Sequence, residues 1–341
     1  MEMKLLLITL PGLEGAVKLE LEKIGVSGEI ISKARIIGEV REPLELRTIE
    51  GFAEILAEKN IEDGNRRDIR LLIRRALLEN NRVREAVKGA KIITVKGSIY
   101  CKLESLNYRL LELIAAREIT RVFRNISVKP KVGDLIFRVE ILNNKLIIAR
   151  EIKSGLHKRN YTKIRHPAMI NPLVAAAMGL LSNINRKDLI IDPYCGVGTI
   201  PIEICLTCKC EAHGSDINKE YVRGALINAK EANVENKTNF FISSIINLSA
   251  RNSSYSAVIT DPPRGIRLKI NSLKAIYKQL INTAEKILKG NGKLIISALN
   301  KDVNLIIKIA KESKKFNIIK KVNYIQGGQF CSILILQFTS N

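Results

Sequence analysis

The second half of the sequence predicts a doubly wound α/β domain, in which helices cover both faces of a parallel sheet. Segments with strand and helix periodicity alternate with short connections from about Asp188 onward, and such alternation is typical of βαβ units. A glycine turn directly follows the first buried strand and precedes a helical segment. Because ligands of open α/β sheets bind at the carboxyl ends of the strands, this turn predicts a ligand site at that edge.

Five strand segments and four helical segments form this pattern before the chain ends in a hairpin. The strands are DLIIDP, AHGSDI, TNFFISS, YSAVITDPP and GKLIISAL, and the helices are TIPIEICLTCK, KEYVRGALINAKEAN, SLKAIYKQLINTAEKILKG and DVNLIIKIAKESKK. The short turn QGGQ joins FNIIKKVNYI to FCSILILQF, so we expect the last strand to enter the sheet antiparallel. This is the outline of the class I (Rossmann-like) methyltransferase fold, although periodicity alone does not separate it from a dehydrogenase.

The first half predicts a mixed α+β region. We expect strands in KLLLITL, GEIISKARIIGEV and AKIITVKGSIYC, helices in LEGAVKLELEKIG, IEGFAEILAEKN and SLNYRLLELIAAREITRVF, and a hairpin that turns at Asn143 and Asn144. The stretch NRRDIRLLIRRALLENNRVREAV predicts a strongly basic helix. A basic connector begins near Gly155, so we divide the chain into an N-terminal region (1–155), a linker with its first helix (156–180) and a C-terminal domain (181–341).

The charge balance of the 341-residue chain predicts a polyanionic partner. Lysine and arginine total 56 against 34 acidic residues, which gives a formal net charge of +22. Basic side chains release condensed counterions when they contact phosphates. Few aromatic residues interleave with the arginines, so we expect phosphate contacts and recognition of RNA shape, with a solvated arginine face as the alternative. The candidate RNA-binding residues are Arg66, Arg67, Arg70, Arg74, Arg75, His157, Lys158 and Arg159.

We expect neither a membrane segment nor a metal site. No stretch approaches the ~20 apolar residues that span a bilayer, and no cleavage site follows the apolar residues near the N-terminus. Six cysteines then predict reduced thiols in a cytoplasmic protein. Three of them form the cluster CLTCKC (205–210), but a zinc or iron–sulfur site needs a second ligand pair, so we expect small buried hydrophobic side chains.

The segment LIIDPYCGVGTIPIE carries the first binding motif. Its strand ends at Asp192, the turn contains Gly196 and Gly198, and a helix begins at Thr199. Glycines allow close approach of backbone to a ligand, and a helix N-terminus offers free N–H groups. Asp216 ends the second strand near the ~20-residue spacing of an acid that binds ribose hydroxyls. It could instead cap the helix that follows, and both roles can coexist.

The segment AVITDPPRG carries the second motif. The fourth strand ends in Asp261, Pro262 and Pro263. Two prolines fix the backbone and leave the Pro262 carbonyl outside the ladder of the sheet. The Asp261 carboxylate and that carbonyl could together accept both hydrogens of an exocyclic amine. The alternative is a rigid turn with an ordinary aspartate.

These motifs together resemble the amino-group N-methyltransferases. The connector LHKRNYTKIRHPAMINPLVAAAM and the N-terminal LITLPGLEGAVKLELEKIG are similar to those of the THUMP-containing tRNA and rRNA guanine-N2-methyltransferases. The resemblance is greatest to enzymes that make N2-methylguanosine at position 6 of the tRNA acceptor stem. It implies a ferredoxin-like/THUMP RNA-binding region before the catalytic domain, S-adenosyl-L-methionine as cofactor and tRNA as partner. We also expect a monomer.

The resemblance also implies residue roles. The catalytic residues would be Asp261, Pro262, Pro263 and Arg264, and the cofactor-binding residues Asp192, Tyr194, Cys195, Gly196, Val197, Gly198, Thr199, Asp216, Ile217, Ser244 and Asp261. Two positions depart from the family pattern. Arg264 replaces an aromatic residue that stacks on the target base, which a guanidinium plane can also do. Ser244 replaces an acid that contacts the adenine amine.

Several alternatives stay open at this point. The target could be guanosine 10 of tRNA or a guanosine of rRNA, and DNA or protein amino methylation uses the same catalytic motif. A non-catalytic RNA-binding relative is a further alternative. The tetrapeptide DPPR also occurs in C5-uridine methyltransferases, but these need a cysteine nucleophile near the end of strand five. That strand ends ISALNKD here, so we disfavour carbon methylation.

Overall fold

The chain divides into two compact units, each of which is built from three separate segments of the sequence. The computed structural model describes residues 3–40, 45–62, 65–101, 106–250, 254–264 and 270–339. The first unit comprises Met1–Thr9, Leu21–Glu45 and Ile49–Leu156, and the second comprises Leu10–Glu20, Leu46–Thr48 and His157–Asn341. The sequence predicts one boundary near Gly155, whereas two short N-terminal segments also belong to the second unit.

The first unit contains an eight-stranded sheet in the order β2-β3-β1-β4-β8-β7-β5-β6. Its strands are β1 (Met3–Ile8), β2 (Gly28–Ser32), β3 (Arg35–Val40), β4 (Gly51–Asn60), β5 (Ile92–Ile99), β6 (Ser127–Val128), β7 (Leu135–Leu142) and β8 (Lys145–Ser154). The helices of this half of the sequence are α1 (Glu14–Lys23), α2 (Arg66–Glu79), α3 (Asn81–Val87) and α4 (Tyr108–Val122). The first seven residues of α1 lie in the second unit.

The predicted helix in IEGFAEILAEKN is wrong, because Gly51–Asn60 forms strand β4. This strand lies between β1 and β8, inside the sheet. Its first seven residues are all buried. A strand covered on both faces loses the alternation of apolar and polar residues, and its continuous apolar run then also satisfies a helical spacing.

Two other predicted elements are each divided by one residue. The strand GEIISKARIIGEV is a hairpin of β2 and β3, with Ala34 in the left-handed region at φ 61°. The basic helix breaks at Asn80, whose side chain accepts the backbone N–H of Arg82 at 2.9 Å and so starts α3. The hairpin at Asn143 and Asn144 is confirmed, since Asn143 has φ 56° between β7 and β8.

A ladder of charged side chains crosses the interior of the first unit. The Arg35 Nε–Glu140 Oε2 distance is 2.6 Å, and both side chains are buried. Arg138 bridges Glu140 and Glu151, and Lys96 lies 2.9 Å from Glu151. Removing one partner of a buried ion pair leaves an uncompensated charge, which costs more than the pair contributes.

The second unit contains a seven-stranded sheet in the order β11-β10-β9-β12-β13-β15-β14. Its strands are β9 (Leu189–Asp192), β10 (Glu211–Asp216), β11 (Thr238–Ile242), β12 (Tyr255–Thr260), β13 (Leu288–Leu299), β14 (Phe316–Gln326) and β15 (Gln329–Phe338). Its further helices are α5 (Pro172–Leu181), α6 (Thr199–Cys208), α7 (Lys219–Glu231), α8 (Ile270–Ile287) and α9 (Val303–Ser313). β9 to β13 are parallel, and β15 runs antiparallel to both β13 and β14. The predicted terminal hairpin is therefore confirmed.

Both faces of this sheet are covered, as the sequence predicts. Ile190 packs in the core cluster that includes Val174 of α5, and its neighbour Ile191 packs in the cluster that includes Leu280 of α8. Leu13 is fully buried in the first of these clusters. Residues near the N-terminus of the sequence thus complete the core of the second unit.

We predict that Arg35→Ala lowers the free energy of local unfolding in the first unit by about 3 kcal/mol. The buried Glu140 carboxylate would keep only its longer, 3.3 Å contact with Arg138. Hydrogen exchange of peptides from β7 and β8 measures the effect. Lys59→Ala removes a more exposed pair with Glu79 and should change the protection much less, because solvent screens exposed pairs. Equal protection in the two variants would contradict the prediction.

Candidate active site

The glycine turn between β9 and α6 has the geometry that its sequence predicts. Gly196 and Gly198 have φ values of 50° and 85°, which favour glycine, and Gly198 directly precedes α6. A Cβ on Gly198 would lie 3.0 Å from the Ala225 Cβ and 3.1 Å from the Phe240 ring. The Cys195 N–H donates to the Ser215 carbonyl at 2.9 Å. These contacts hold the turn against the end of β10.

Asp216 is bonded both to this turn and to the residue that caps the following helix. Its Oδ2 accepts the Gly196 N–H at 3.0 Å, and its Oδ1 accepts the Asn218 N–H at 2.9 Å. The cap of α7 is Asn218, whose side chain accepts the Glu220 N–H, so the alternative of Asp216 as the cap is wrong. Each carboxylate oxygen retains a second lone pair that can accept a hydroxyl group.

Asp192 connects the turn to β12. Its Oδ1 accepts the Thr260 hydroxyl at 2.7 Å and the Tyr194 N–H at 3.0 Å. Burial is the main cause that raises the pKa of Asp192 to about 7, and the nearby carboxylates Asp261 and Asp216 add to it. Because Thr260 directly precedes Asp261, its hydrogen bond to Asp192 holds the two predicted motifs next to each other.

Asp261 forms an ion pair with Arg264. The Asp261 Oδ1 accepts Arg264 Nη2 at 2.8 Å and Nε at 3.1 Å. Arg264 Nη2 also donates to the Ser297 hydroxyl at 3.1 Å, and Ser297 lies 2.9 Å from the Tyr324 hydroxyl. Burial raises the pKa of Asp261, while the Arg264 charge and its hydrogen bond lower it. Arg264 therefore opposes the effect of burial on the carboxylate.

The Arg264 guanidinium does not face solvent, where a target base would stack. Only 17% of the side chain is exposed, and its Nη1 lies 3.5 Å from the Cys331 Sγ. Base stacking by Arg264 stays a prediction and would require the pair with Asp261 to open. Cys331, Ser297 and Tyr324 were missed by sequence reasoning because they come from β15, β13 and β14, far along the chain from the motif.

The remaining predicted cofactor residues lie along the same edge of the sheet. Ile217 is 76% exposed next to Asp216, and Ser244 is half-buried in the segment after β11. The Ser243 N–H donates to the Asp216 carbonyl at 3.1 Å, which holds that segment beside Asp216. Cys195, Val197 and Thr199 have buried side chains. Acceptors on Asp216, an exposed apolar side chain and open space above Gly196 fit a ligand with a ribose and an aromatic base.

Glu203 is the largest omission of the sequence reasoning. Its fully buried carboxylate accepts Arg47 Nε at 2.8 Å, Arg159 Nε at 2.9 Å and the Tyr161 hydroxyl at 2.7 Å. The pKa of Glu203 is lowered because these partners outweigh burial. The signal was available: Glu203 is the one charged residue in the apolar segment TIPIEICLTC, and a buried acid requires partners.

Seven of the eight predicted RNA-binding residues separate into two groups, and the eighth, His157, is half-buried. Arg66, Arg67, Arg70, Arg75 and Lys158 are exposed. Arg74 and Arg159 bind the buried carboxylates of Glu118 and Glu203. The guanidinium groups of Arg74 and Arg159 are thus engaged in ion pairs inside their own units. Phosphate contacts remain a prediction, and they are expected mainly of the exposed residues.

Neither a metal cluster nor a membrane helix is found in the part of the chain that the structure describes. No three His, Cys, Asp or Glu side chains there lie close enough to hold a metal ion. Cys205, Cys208 and Cys210 are buried and are not paired in disulfides. Within the same described ranges, no helix has both the length and the apolar character needed to cross a membrane.

Comparisons with known proteins find relatives for the part of the chain that contains this site. Residues 159–326 match a family model described as "RMKL-like, methyltransferase domain". The matched range contains the glycine turn, Asp216 and the Asp261 segment. Together with the sheet order, this match confirms the predicted methyltransferase domain.

Several curated relatives carry names of guanine-N2-methyltransferases. Over 256 residues the chain is 26% identical to the tRNA (guanine(6)-N2)-methyltransferase of Methanocaldococcus jannaschii, a match that covers 62% of this chain and 66% of that protein. Identity to the protein of the same name from Archaeoglobus fulgidus is 23%, covering 84% and 80%. The tRNA (guanine(10)-N2)-dimethyltransferase of M. jannaschii is 27% identical, covering 52% and 53%. The chain thus spans just under two thirds of the first of these relatives.

Solved structures share the fold along nearly the whole chain. TrmN from Thermus thermophilus superimposes with a TM-score of 0.81 at 19% identity, covering 98% of this chain and 99% of that one. SMU.472 in complex with SAH gives a TM-score of 0.74 at 16% identity, covering 100% and 98%. Likeness at these identities concerns the fold, and it confirms the predicted class I methyltransferase fold.

We predict that Asp216→Ala weakens S-adenosyl-L-methionine binding about 10- to 100-fold, because hydrogen bonds to a charged acceptor contribute about 1.5–3 kcal/mol. Calorimetric titration measures the dissociation constant. Asp188→Ala is the matched control, since Asp188 also accepts a backbone N–H, that of Asn185, but precedes β9 at the opposite edge. An unchanged constant in Asp216→Ala would show that the carboxylate only shapes the turn.

Proposed function

We propose that this chain, which carries an RMKL-like methyltransferase domain over residues 159–326, methylates the exocyclic N2 of a guanosine in tRNA. The observation that carries the proposal is the position of Asp261 and Pro262 at the carboxyl end of β12, joined through Thr260 and Asp192 to the glycine turn. An amine held at Asp261 would lie beside the cofactor turn. Guanosine 6 is the first candidate target, because the relatives with that name match over the longest ranges.

The chemistry requires an acceptor and orientation rather than a covalent intermediate. The lone pair of guanine N2 is delocalised into the ring, so the nitrogen is a weak nucleophile. The bound cofactor supplies an electrophilic methyl group. Asp261 and the Pro262 carbonyl accept the two hydrogens of the amine, which localises the lone pair and aims it. Because Oδ1 of Asp261 accepts hydrogen bonds from Arg264, Oδ2 is the oxygen proposed to accept the amine hydrogen.

Arg264 favours the charged form of the acceptor. Burial favours the neutral form of Asp261 and raises its pKa overall, and the Arg264 charge opposes that effect. A carboxylate whose pKa is raised by burial can also take the proton that the methylated nitrogen loses. The pair therefore combines acceptance of hydrogen bonds with acceptance of a proton at one carboxylate.

The tRNA part of the proposal rests on charge and on the relatives. The chain carries a net charge of +22, and the exposed arginines of α2 belong to the first unit. A THUMP-type docking role for residues 1–155 follows from the resemblance of the sequence. We further propose a monomer in the cytoplasm, a reducing compartment in which the cysteines stay reduced.

Mass-spectrometric mapping of methyl groups tests the target directly. Bulk tRNA is incubated with the full chain and labelled S-adenosyl-L-methionine, and rRNA is treated in parallel. N2-methylguanosine at position 6 is the expected product. Label at position 10 or in rRNA would select those alternatives, and absence of label from every RNA would leave the non-catalytic relative.

We predict that Asp261→Ala lowers the rate constant for methyl transfer at least about 100-fold while the chain still folds and binds tRNA. Asp261→Asn keeps one acceptor oxygen without the charge, so its rate should lie between those of Asp261→Ala and the original chain. Single-turnover kinetics measure both, and filter binding measures the tRNA dissociation constant. A near-normal rate in Asp261→Ala would remove Asp261 from the mechanism.

We predict that Arg264→Met moves the acid limb of the pH–rate profile to higher pH. Arg264 lowers the pKa of Asp261, so its removal raises that pKa, and the accepting carboxylate form is then lost at a higher pH. Activity should recover more fully at alkaline pH than at pH 6. Lys311→Met, an exposed substitution on α9, should leave the profile in place. An unshifted limb with a uniform loss of rate would contradict this role.

A further inference from the structure

A cavity of about 290 Å³ lies in the second unit beside the start of α5 and the end of β14. Its lining includes Lys158, Thr162, Arg165, Asn171 and Gln326. None of the residues of the glycine turn, and neither Asp216 nor Asp261, is among the described residues that line it. The cavity is therefore separate from the candidate cofactor site.

Two of the lining side chains have a buried oxygen atom without a hydrogen-bond partner in the described part of the chain. These atoms are Oγ1 of Thr162 and Oε1 of Gln326. Buried polar atoms in folded proteins are nearly always bonded, and an exception calls for a missing partner. The Thr162 hydroxyl can donate, whereas the Gln326 carbonyl oxygen accepts. A ligand that satisfies both would offer a hydrogen-bond acceptor and a hydrogen-bond donor.

The charged side chains that line the cavity are basic. Lys158 and Arg165 are exposed, and no carboxylate of the described residues lies within ion-pair distance of either. Arg159 also lines the cavity, but its guanidinium is bound to Glu203. Lys158 and Arg165 are thus the cations that remain for an anionic ligand.

A chain of contacts that starts on β14 connects the cavity wall with Asp261. Tyr324 and Gln326 are two residues apart on β14, so their side chains share a face and are separated by about 7 Å. The Tyr324 hydroxyl contacts Ser297, which contacts Arg264, the partner of Asp261. These contacts link the wall of the cavity to the Asp261 site.

We infer that the cavity binds one phosphate group and the adjoining ribose of the substrate RNA, next to the guanosine that enters the Asp261 site. Lys158, Arg165 and the Thr162 hydroxyl hold the phosphate oxygens, and Oε1 of Gln326 accepts the ribose 2′-hydroxyl. The 2′-hydroxyl is the group by which a protein separates RNA from DNA at one position. The inference rests on the proposed RNA substrate, but not on which guanosine is methylated.

The first test measures tRNA binding by the full chain without turnover, at several salt concentrations. The double variant Lys158→Ala/Arg165→Ala should bind about tenfold more weakly, with a salt slope shallower by about 0.7–0.9 for each phosphate that the variant no longer neutralises. Lys163→Ala is the matched control, because Lys163 lies in the same connector, pairs with Glu231 and does not line the cavity. Equal affinity and slope in the double variant and the control would overturn the inference.

The second test separates an RNA backbone from a free phosphate ion. Short RNA substrates carry single 2′-deoxy substitutions at and beside the target guanosine. One such substitution should weaken binding to the original chain, and the same substitution should have no further effect on Gln326→Leu. Thr162→Val should weaken binding of both RNAs alike. If no position shows this coupling, while inorganic phosphate binds the original chain and not the double variant, the cavity is a free-anion site and the inference fails.

The two proposals fail in distinguishable ways. Binding and its salt slope are measured without methyl transfer, so a chain that methylates no RNA would refute the proposed function and leave the cavity result standing. Conversely, unchanged tRNA binding in the double variant, together with normal methyl transfer, would refute only the proposed role of the cavity in RNA binding. The dissociation constant for S-adenosyl-L-methionine should stay unchanged in all cavity variants, which excludes unfolding as the cause of any loss.

Discussion

The buried carboxylate of Glu203 is the constraint on which the second unit depends. A charge without water costs several kcal/mol unless partners satisfy it, and Arg47, Arg159 and Tyr161 do so from positions far apart in the sequence. Glu203 lies near the start of α6, shortly after the glycine turn. The same ion cluster therefore fixes the start of α6, the connector and the short segment Leu46–Thr48. A change that neutralised Glu203 would loosen the cofactor turn and the cavity wall together.

Carboxylates are concentrated at the edge of the sheet where methyl transfer is proposed. Asp192, Asp216 and Asp261 lie near one another, and their mutual repulsion contributes to the raised pKa of Asp192. Arg264 is the basic group that the structure places against Asp261. Such a site is suited to a cationic group, and the sulfonium of the cofactor is one. The two proposed sites thus differ in charge: the methyl donor is proposed for the negative edge and the RNA backbone for the basic cavity.

The second unit could be predicted well from the sequence because its signals are local. The spacing of apolar residues, the short connections and the turn at QGGQ each depend on neighbouring residues. The same holds for the glycine turn and the Asp261 motif. Strand β4 was misread because burial on both faces removes alternation, and the basic helix was not divided because a single side-chain cap at Asn80 decides it. The partners of Glu203 and Arg264 could not be predicted, since they lie on other strands and segments. Arg159 shows the limit most clearly, because nothing near it in the sequence distinguishes an internal ion pair from a phosphate contact.

The second unit is assembled from three separate stretches of the chain, Leu10–Glu20, Leu46–Thr48 and His157–Asn341. Leu13 fills its core, and Arg47 balances a charge inside it. Such a unit cannot be transferred as a single continuous segment. A gene fragment that begins at the connector would lack Leu13, which leaves a cavity in the core, and Arg47, which leaves Glu203 without one of its ion-pair partners. Exchange of catalytic halves between relatives would need both donors to supply the matching N-terminal pieces. Transfer of residues 157–341 alone would therefore leave this unit incomplete.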